Sequence, residues 1–126
     1  MNYHEDLPHS CPPSDCRPAG DYTLYRLCFN DPPQDVDFLS WRHLHPHRNA
    51  PRNTDECTAL SISTQDKPEG LLAALKSPKF KNKPTFVAKL ALSKQDGPNK
   101  KTRGPGHYSW WRSSAFDIAS SVEIIK

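Results

Sequence analysis

Proline is the residue that most constrains this chain. Thirteen of the 126 residues are proline, about twice the share of roughly 5% that globular proteins contain. Proline fixes φ and lacks a backbone N–H, so it interrupts helices and is excluded from the middle of sheets. The length suits one domain. We therefore expect a small soluble domain whose short helices and strands are separated by much irregular structure.

The first 20 residues differ in composition from the rest of the chain. They contain four of the prolines and hardly any large apolar side chains. Such a segment cannot bury enough apolar surface to offset the entropy lost on ordering. We predict a flexible Pro-rich arm over residues 1–20, or one ordered only by packing on the domain, and a single domain over residues 21–126.

No stretch of the sequence approaches the ~20 apolar residues of a membrane span. The N-terminus has no basic region followed by an apolar run, so no secretory signal is visible. The expectation is a cytoplasmic protein without a membrane partner.

Apolar alternation and turn-forming flanks predict the secondary structure. Strands are expected at 22–29, 60–64, 85–92, 108–111 and 121–125. Helices are expected at 35–44 and 66–75, because Asp35 can cap the first and Pro68 lies near the start of the second. Residues 45–56 and 93–106 are expected to be loops. Strands that cluster after the second helix favour an α+β fold, with a mostly antiparallel sheet and two short helices.

Charge is divided unevenly along the chain. Residues 1–75 carry a balance of −5 and residues 76–126 a balance of +8, which give the net +3. The basic excess is densest from Lys76 to Arg103, where nine cations face one acid, Asp96. Such a segment attracts phosphates or nucleic acid, and Lys100, Lys101 and Arg103 are its candidate contacts. The alternative is that these cations are solvated loop residues.

The four cysteines carry little information by spacing. Cys11 and Cys16 in the arm are open to metal binding, a disulfide or free thiols. Cys28 and Cys57 are expected to be buried reduced thiols, because no export signal is visible. No metal site is predicted.

The first candidate site combines Arg26, the run Ser61-Ile62-Ser63-Thr64, and Glu123, each in or beside a predicted strand. A charged Arg26 inside an apolar strand needs a partner or an anionic ligand, because unpaired buried charge is costly. The closely spaced hydroxyls of Ser61 and Ser63 can bond a nucleotide or orient a sheet. The alternative is that Arg26 pairs with a carboxylate such as Asp37 or Glu56, and that Glu123 is simply exposed.

This order of residues resembles the Arg, Ser-Thr-Ser, Glu pattern of ADP-ribosyltransferase-fold enzymes. The resemblance implies that Arg26 contacts the phosphate of NAD, that Ser61 and Ser63 frame the pocket, and that Glu123 is catalytic. The middle motif departs from the family, since it reads Ser-Ile-Ser-Thr, and Ser121 stands where the family has a second acid or Gln. The layout of residues 25–126 is also similar to small uncharacterised bacterial proteins, a resemblance that implies a common fold and no activity.

The second candidate site is the run from Gly104 to Arg112, which includes His107, Trp110 and Trp111. Adjacent residues of a strand point to opposite faces, so one Trp can be core while the other is exposed. His107 offers an acid or base beside a stacking surface, and the catalytic candidates are therefore His107 and Glu123.

Three functions follow from these patterns. The first is a nucleotide- or phosphate-ligand-binding domain that uses Arg26, Ser61, Ser63, His107 and Trp110. The resemblance to ADP-ribosyltransferases implies that such a domain is a toxin or effector with NAD as its cofactor. The second is a nucleic-acid-binding or RNA-cleaving module that uses the Lys76–Arg103 segment and His107. The third is a non-catalytic protein-interaction module, such as an immunity or anti-defence factor. Whether the chain is an enzyme stays open.

Overall fold

The computed structural model describes residues 1–126 and contains one six-stranded antiparallel sheet. Its strands, in chain order, are β1 (Tyr22–Cys28), β2 (Ile62–Gln65), β3 (Phe86–Leu92), β4 (Asn99–Lys101), β5 (His107–Trp110) and β6 (Val122–Ile124). Their spatial order is β4-β5-β2-β1-β3-β6. The predicted α+β class with an antiparallel sheet is confirmed.

Four short helices accompany the sheet, two more than predicted. They are α1 (Trp41–Leu44), α2 (Glu56–Ala59), α3 (Glu69–Ala74) and α4 (Ile118–Ser121). None of them, the longest having six residues, has the length and apolar character that crossing a bilayer requires.

Local capping explains where the prediction of helices was wrong. The helix expected at 35–44 is broken at Leu39, which is extended, into a 3-10 turn (Asp35–Phe38) and α1. The Ser40 hydroxyl starts α1 by accepting a hydrogen bond from the His43 amide. In the segment expected to be a loop, Asp55 starts α2 by accepting from the Thr58 amide. The segment 93–106 likewise contains β4, which is paired with β5.

The core lies on one face of the sheet, here called the inner face. Its buried apolar side chains are Leu24, Cys28, Phe38, Ile62, Ala88, Leu90, Leu92, Trp110 and Phe116. Burial of each large side chain among them stabilises the fold by about 1.5–3 kcal/mol.

Trp110 is a core residue, which corrects its prediction as a stacking surface for a ligand. Its side chain is fully buried and packs edge-on against Phe116, with ring centroids 4.7 Å apart. The indole N–H donates to the Asp96 carbonyl at 2.8 Å. This bond satisfies the buried polar atom of Trp110, so the side chain has no group left for a ligand.

The Pro-rich segment 1–20 lies against the domain rather than apart from it. Isolated β-bridges join Tyr3 to Ser113 and Arg17 to Asn99. The Glu5 carboxylate accepts hydrogen bonds from both the amide and the hydroxyl of Ser40. These polar contacts take the place of the apolar burial that the composition lacks, and they join the segment to the domain.

The cysteines pair differently from the prediction. Cys57 is not a free thiol: it forms a disulfide with Cys11 that connects α2 to the N-terminal segment. The long sequence separation between the two residues hid this pairing from a reading of local spacing. Cys28 is a free, buried thiol as expected, and burial raises its pKa to about 12. Cys16 is also free.

Removing the disulfide should destabilise the protein. The bond spans a sequence separation of 46 residues, and the chain-entropy model gives a loop of that size a stabilisation of about 4 kcal/mol. We expect the double variant Cys11→Ser/Cys57→Ser to lose up to that amount in chemical denaturation. Cys16→Ser, which removes a free thiol from the same segment, is the control. Equal unfolding midpoints for the wild type and the double variant would contradict the disulfide.

Candidate functional site

A polar strip runs along the face of the sheet opposite the core, here called the outer face. Ser63 of β2 is paired with Ser109 of β5, and Gln65 is paired with His107. Residues directly opposite each other in an antiparallel pair share a face. The neighbouring pair, Ile62 and Trp110, lies in the core. The serines and His107 therefore face outwards.

A narrow cavity of about 30 Å³ opens beside this strip. The strip forms one wall, and the other wall is formed by α2 and the loop before it. Its lining includes Ser61, Ser63, His107, Ser109, Arg103 and Trp41. A wider groove of about 410 Å³, lined by Arg52, Thr102 and Arg103 among others, shares four lining residues with it. The two spaces together form the His107 cavity.

The loop before β5 holds His107 against the end of β2. Gly106 has φ +78°, and a Cβ there would come within 2.9 Å of the Asp66 carboxylate. The Gly106 carbonyl accepts a hydrogen bond from the Asp66 amide at 2.9 Å. Arg103 in the same loop has φ +58°, which is uncommon for a residue with a side chain. Such backbone strain is concentrated at functional sites.

Thr102 fixes the orientation of the His107 ring. Its Nδ1 lies 3.2 Å from the Thr102 carbonyl and 3.0 Å from the Thr102 hydroxyl. In the tautomer with the proton on Nδ1, this nitrogen donates to Thr102, and Nε2 is an acceptor with no partner in the protein. Burial, followed by the nearby Arg103 charge, holds the pKa of His107 below its ordinary value. The imidazole is therefore neutral at pH 7 and can accept a proton.

The same hydrogen bonds orient Ser109. Thr102 Oγ1 lies 2.8 Å from Ser109 Oγ. Either hydroxyl can be the donor in this bond, so Thr102 links His107 to Ser109, and both of these residues line the cavity.

A second cavity, of about 250 Å³, lies where β1 and β2 diverge. The two strands have a single paired position, Tyr25 with Gln65. Beyond it, Arg26 fills the gap: its Nε donates to the Asp37 carbonyl and its Nη1 to the Ser63 carbonyl, both at 2.7 Å. Arg26, Ser63, Leu27, Phe29 and Leu71 line this space, here called the Arg26 cavity.

Arg26 has no carboxylate hydrogen-bonded to its guanidinium. The Asp37 carboxylate is buried and accepts instead from the backbone amides of Phe29 and Gln34 and from the Asn30 side chain. The predicted alternative of an Arg26–Asp37 ion pair is thus replaced by a bond to the Asp37 carbonyl. Burial lowers the pKa of Arg26 from its ordinary value, but arginine remains charged at neutral pH. Its hydrogen bonds go to two neutral carbonyls, while the nearby charge of Asp37 favours the charged guanidinium.

The structure brings together some of the predicted site residues. Ser61, Ser63, His107 and Arg103 line the His107 cavity, and Arg26 and Ser63 line the Arg26 cavity. Ser63 belongs to both, because it is exposed in the middle of β2. The two cavities adjoin at Ser63 and are together called the groove.

Glu123 does not reach this groove. It lies on β6, paired with Lys89, and β1 and β3 separate it from β2. Three strand spacings of roughly 4.8 Å place it about 14 Å from Ser63. The three parts of the ADP-ribosyltransferase-like pattern therefore do not converge.

Neither of the two predicted lysine contacts lines the groove. Lys100 is paired with Ser109 on the outer face, but its ammonium forms an ion pair with Asp15 at 3.0 Å. Lys101 is paired with Tyr108, which packs against the core, so it is directed to the other side of the sheet from Ser109. Of the three predicted nucleic-acid contacts, Arg103 is the one that lines the groove.

The aromatic residue of the groove is Trp41, which sequence reasoning placed in a helix and not in a site. Its ring is half-buried, lies 4.9 Å from that of His45, and has the guanidinium groups of Arg42 and Arg48 within 6 Å. Thr54, Thr58 and Thr102 were also missed. Nothing in their local sequence indicates the groove, since loop packing brings them there.

Comparison with family models, with characterised proteins and with solved structures finds no match to this chain. No group of three or more His, Cys, Asp or Glu side chains is placed to hold a metal ion.

The pKa of His107 should lie below 6.5 in the folded protein. Since the unfolded chain then binds this proton more readily, His107 should lower the free energy of unfolding as the pH falls through 6.5 towards the folded pKa. Titration of the imidazole C–H resonances by NMR measures the value. Arg103→Gln should raise it, because one of its causes is removed. Lys101→Gln is the matched control, and equal changes in both variants would contradict a local effect of Arg103.

Proposed function

We propose that this protein binds a phosphorylated ligand of the nucleotide class in the groove centred on Ser63. The observation that carries the proposal is that the exposed Ser63 lines two cavities, one with Arg26 in its wall and the other with Arg103, and neither arginine has a carboxylate oxygen within 4 Å. Guanidinium groups match the geometry of phosphate oxygens and form strong charge-assisted hydrogen bonds with them.

Hydroxyl groups supply further donors to a phosphate. The side-chain oxygens of Ser63, Thr54 and Thr58 have no hydrogen-bond partner in the protein, and all three residues line the His107 cavity. Phosphate oxygens accept several hydrogen bonds at once. A phosphate at Ser63 would therefore meet neutral donors as well as the two cations.

Aromatic rings support the nucleotide class over inorganic phosphate. Trp41 lines the His107 cavity and Tyr25 lines the Arg26 cavity. Bases stack on such rings, and each stacked base contributes about 1–3 kcal/mol. Trp41 thus takes the role that the sequence analysis assigned to Trp110.

His107 is the residue that we propose as the catalytic group. His107 lines the cavity where the phosphate would lie, and in the tautomer with the proton on Nδ1 the Nε2 of its neutral imidazole is an acceptor. A group of this kind can take a proton from a hydroxyl or a water in phosphoryl or glycosyl chemistry. Glu123 and an NAD-dependent transfer are not part of the proposal, because Glu123 lies outside the groove.

A cytoplasmic location is also not part of the proposal. The Cys11–Cys57 disulfide is typical of oxidising compartments and rare in the cytoplasm.

Arg103→Gln should weaken nucleotide binding. Loss of one charge-assisted hydrogen bond costs about 1.5 kcal/mol or more, which corresponds to about tenfold in Kd. Calorimetric titration with ADP, ATP, NAD and inorganic phosphate measures this change. Lys101→Gln removes the same charge from the same hairpin on the other side of the sheet and should leave Kd within about twofold. If no nucleotide or phosphate binds the wild type, or if both variants weaken binding equally, the proposal fails.

Ser63→Ala should weaken nucleotide binding without changing the stability of the fold. The Ser63 hydroxyl is exposed and makes no hydrogen bond in the protein, so its removal should change the free energy of unfolding by less than about 0.5 kcal/mol. A hydrogen bond from a hydroxyl to an ionised phosphate contributes about 1.5 kcal/mol or more, so Kd for the nucleotide should rise by about tenfold or more. Ser114→Ala, at another exposed serine, is the control. Unchanged affinity in Ser63→Ala would remove Ser63 from the site.

A further inference from the structure

We propose that the groove is one part of a longer track for single-stranded nucleic acid, which leads from Arg103 past Ser63 and Arg26 to Lys83 and Lys79. This inference rests on the proposed function and names the class of ligand. The Arg26 cavity provides the connection, because Phe29 lines it and also begins the next cluster of cations and rings.

The cluster beyond Arg26 alternates aromatic and cationic side chains. The rings of Phe29 and Phe80 have centroids 6.4 Å apart, and Phe29 is 37% exposed although it is a large apolar side chain. Lys83 Nζ lies 4.1 Å from the Phe29 centroid, and Lys79 Nζ lies 5.5 Å from that of Phe80. Rings interleaved with cations are the surface that proteins use for successive bases and phosphates of a single strand.

The charges of this cluster are not neutralised within the protein. The segment 76–83 has four lysines and no acidic residue. None of these lysines has a carboxylate oxygen within 4 Å, whereas Arg42, Lys100 and Arg112 each form an ion pair elsewhere. A run of unpaired cations can be neutralised by a polyanion, and release of its counterions favours binding.

The shape of the groove favours a single strand over a duplex. The strip around Ser63 is flanked by Leu71 of α3 on one side and by Thr54 on the other. Proteins read a duplex with elements that project into its grooves, whereas an extended strand can lie in a recess. An acidic peptide would supply carboxylates but would have no use for the rings of Trp41, Tyr25 and Phe29.

The test compares oligonucleotides with a mononucleotide. Fluorescence anisotropy measures the affinity for labelled U12, for labelled dT12 and for a 12-base-pair duplex, and unlabelled uridine monophosphate is titrated by calorimetry. We expect at least one single-stranded 12-mer to bind about tenfold or more tightly than the mononucleotide, and more tightly than the duplex. The RNA and DNA arms distinguish the source of the strand.

The variant Lys79→Gln/Lys83→Gln tests the far end of the track. Each phosphate contact of a single strand contributes about 0.7 to the slope of log K against log salt. The double variant should therefore lose about 1.4 from that slope, and should keep its affinity for the mononucleotide. The control variant Lys94→Gln/Lys101→Gln removes two exposed lysines away from the track. It should keep both the salt slope and the affinity for the mononucleotide. Thermal unfolding of all variants checks that the fold is retained.

The outcomes separate this inference from the proposed function. If the mononucleotide binds and the 12-mers bind no more tightly, the track is overturned and the proposed nucleotide site in the groove is retained. If the two double variants lose equal slope, the lysines act through net charge, and the track is again overturned. If neither the mononucleotide nor any 12-mer binds, both proposals fall. A duplex that binds as tightly as the single strands overturns the assignment to a single strand.

Discussion

The hydrogen bonds of Arg26 across the divergence of β1 and β2 are the interaction on which the groove depends. The two strands share one paired position, and the guanidinium then bonds the Ser63 carbonyl that the ladder leaves free. A second bond to the Asp37 carbonyl fixes the turn after β1 to the same point. Both acceptors are neutral, so no carboxylate is bonded to Arg26, and its side chain forms part of the wall of the Arg26 cavity. Arg26 thus bridges the two strands and also places a positive charge in the wall of the Arg26 cavity.

The opposite wall of the groove is held by long-range bonds rather than by a core of its own. Arg42 of α1 bonds Glu56 of α2 through two nitrogens, at 2.6 and 2.8 Å. The disulfide ties α2 to the N-terminal segment, and the Trp111 indole N–H donates to the Cys57 carbonyl. Helices of four residues are unstable alone, so these contacts keep Trp41 and Thr58 beside the strip. The Pro-rich segment therefore helps to shape the groove.

Elements with strong local signals could be predicted, and the others could not. The strands at Tyr22–Cys28 and Phe86–Leu92 were predicted within one residue, because each has a run of apolar and aromatic residues bounded by turn residues. The four-residue α2 and the three-residue β4 were missed, since such short elements lack periodicity. The helix α2 depends on the Asp55 cap, and the strand β4 depends on its pairing with β5. The predicted helix at 35–44 ended early because Ser40 caps a new helix in its middle.

By itself, the sequence determined the α+β class, the division of charge along the chain, and the presence of Ser63, Arg103 and His107 in strands and loops that could bind a phosphate. Only the tertiary structure decided which of these residues meet. Strand order separated Glu123 from Ser63, register buried Trp110, and loop packing put Trp41 in its place. The reason is physical: capping and alternation act between near neighbours, whereas strand order and disulfide pairing join residues far apart in the chain.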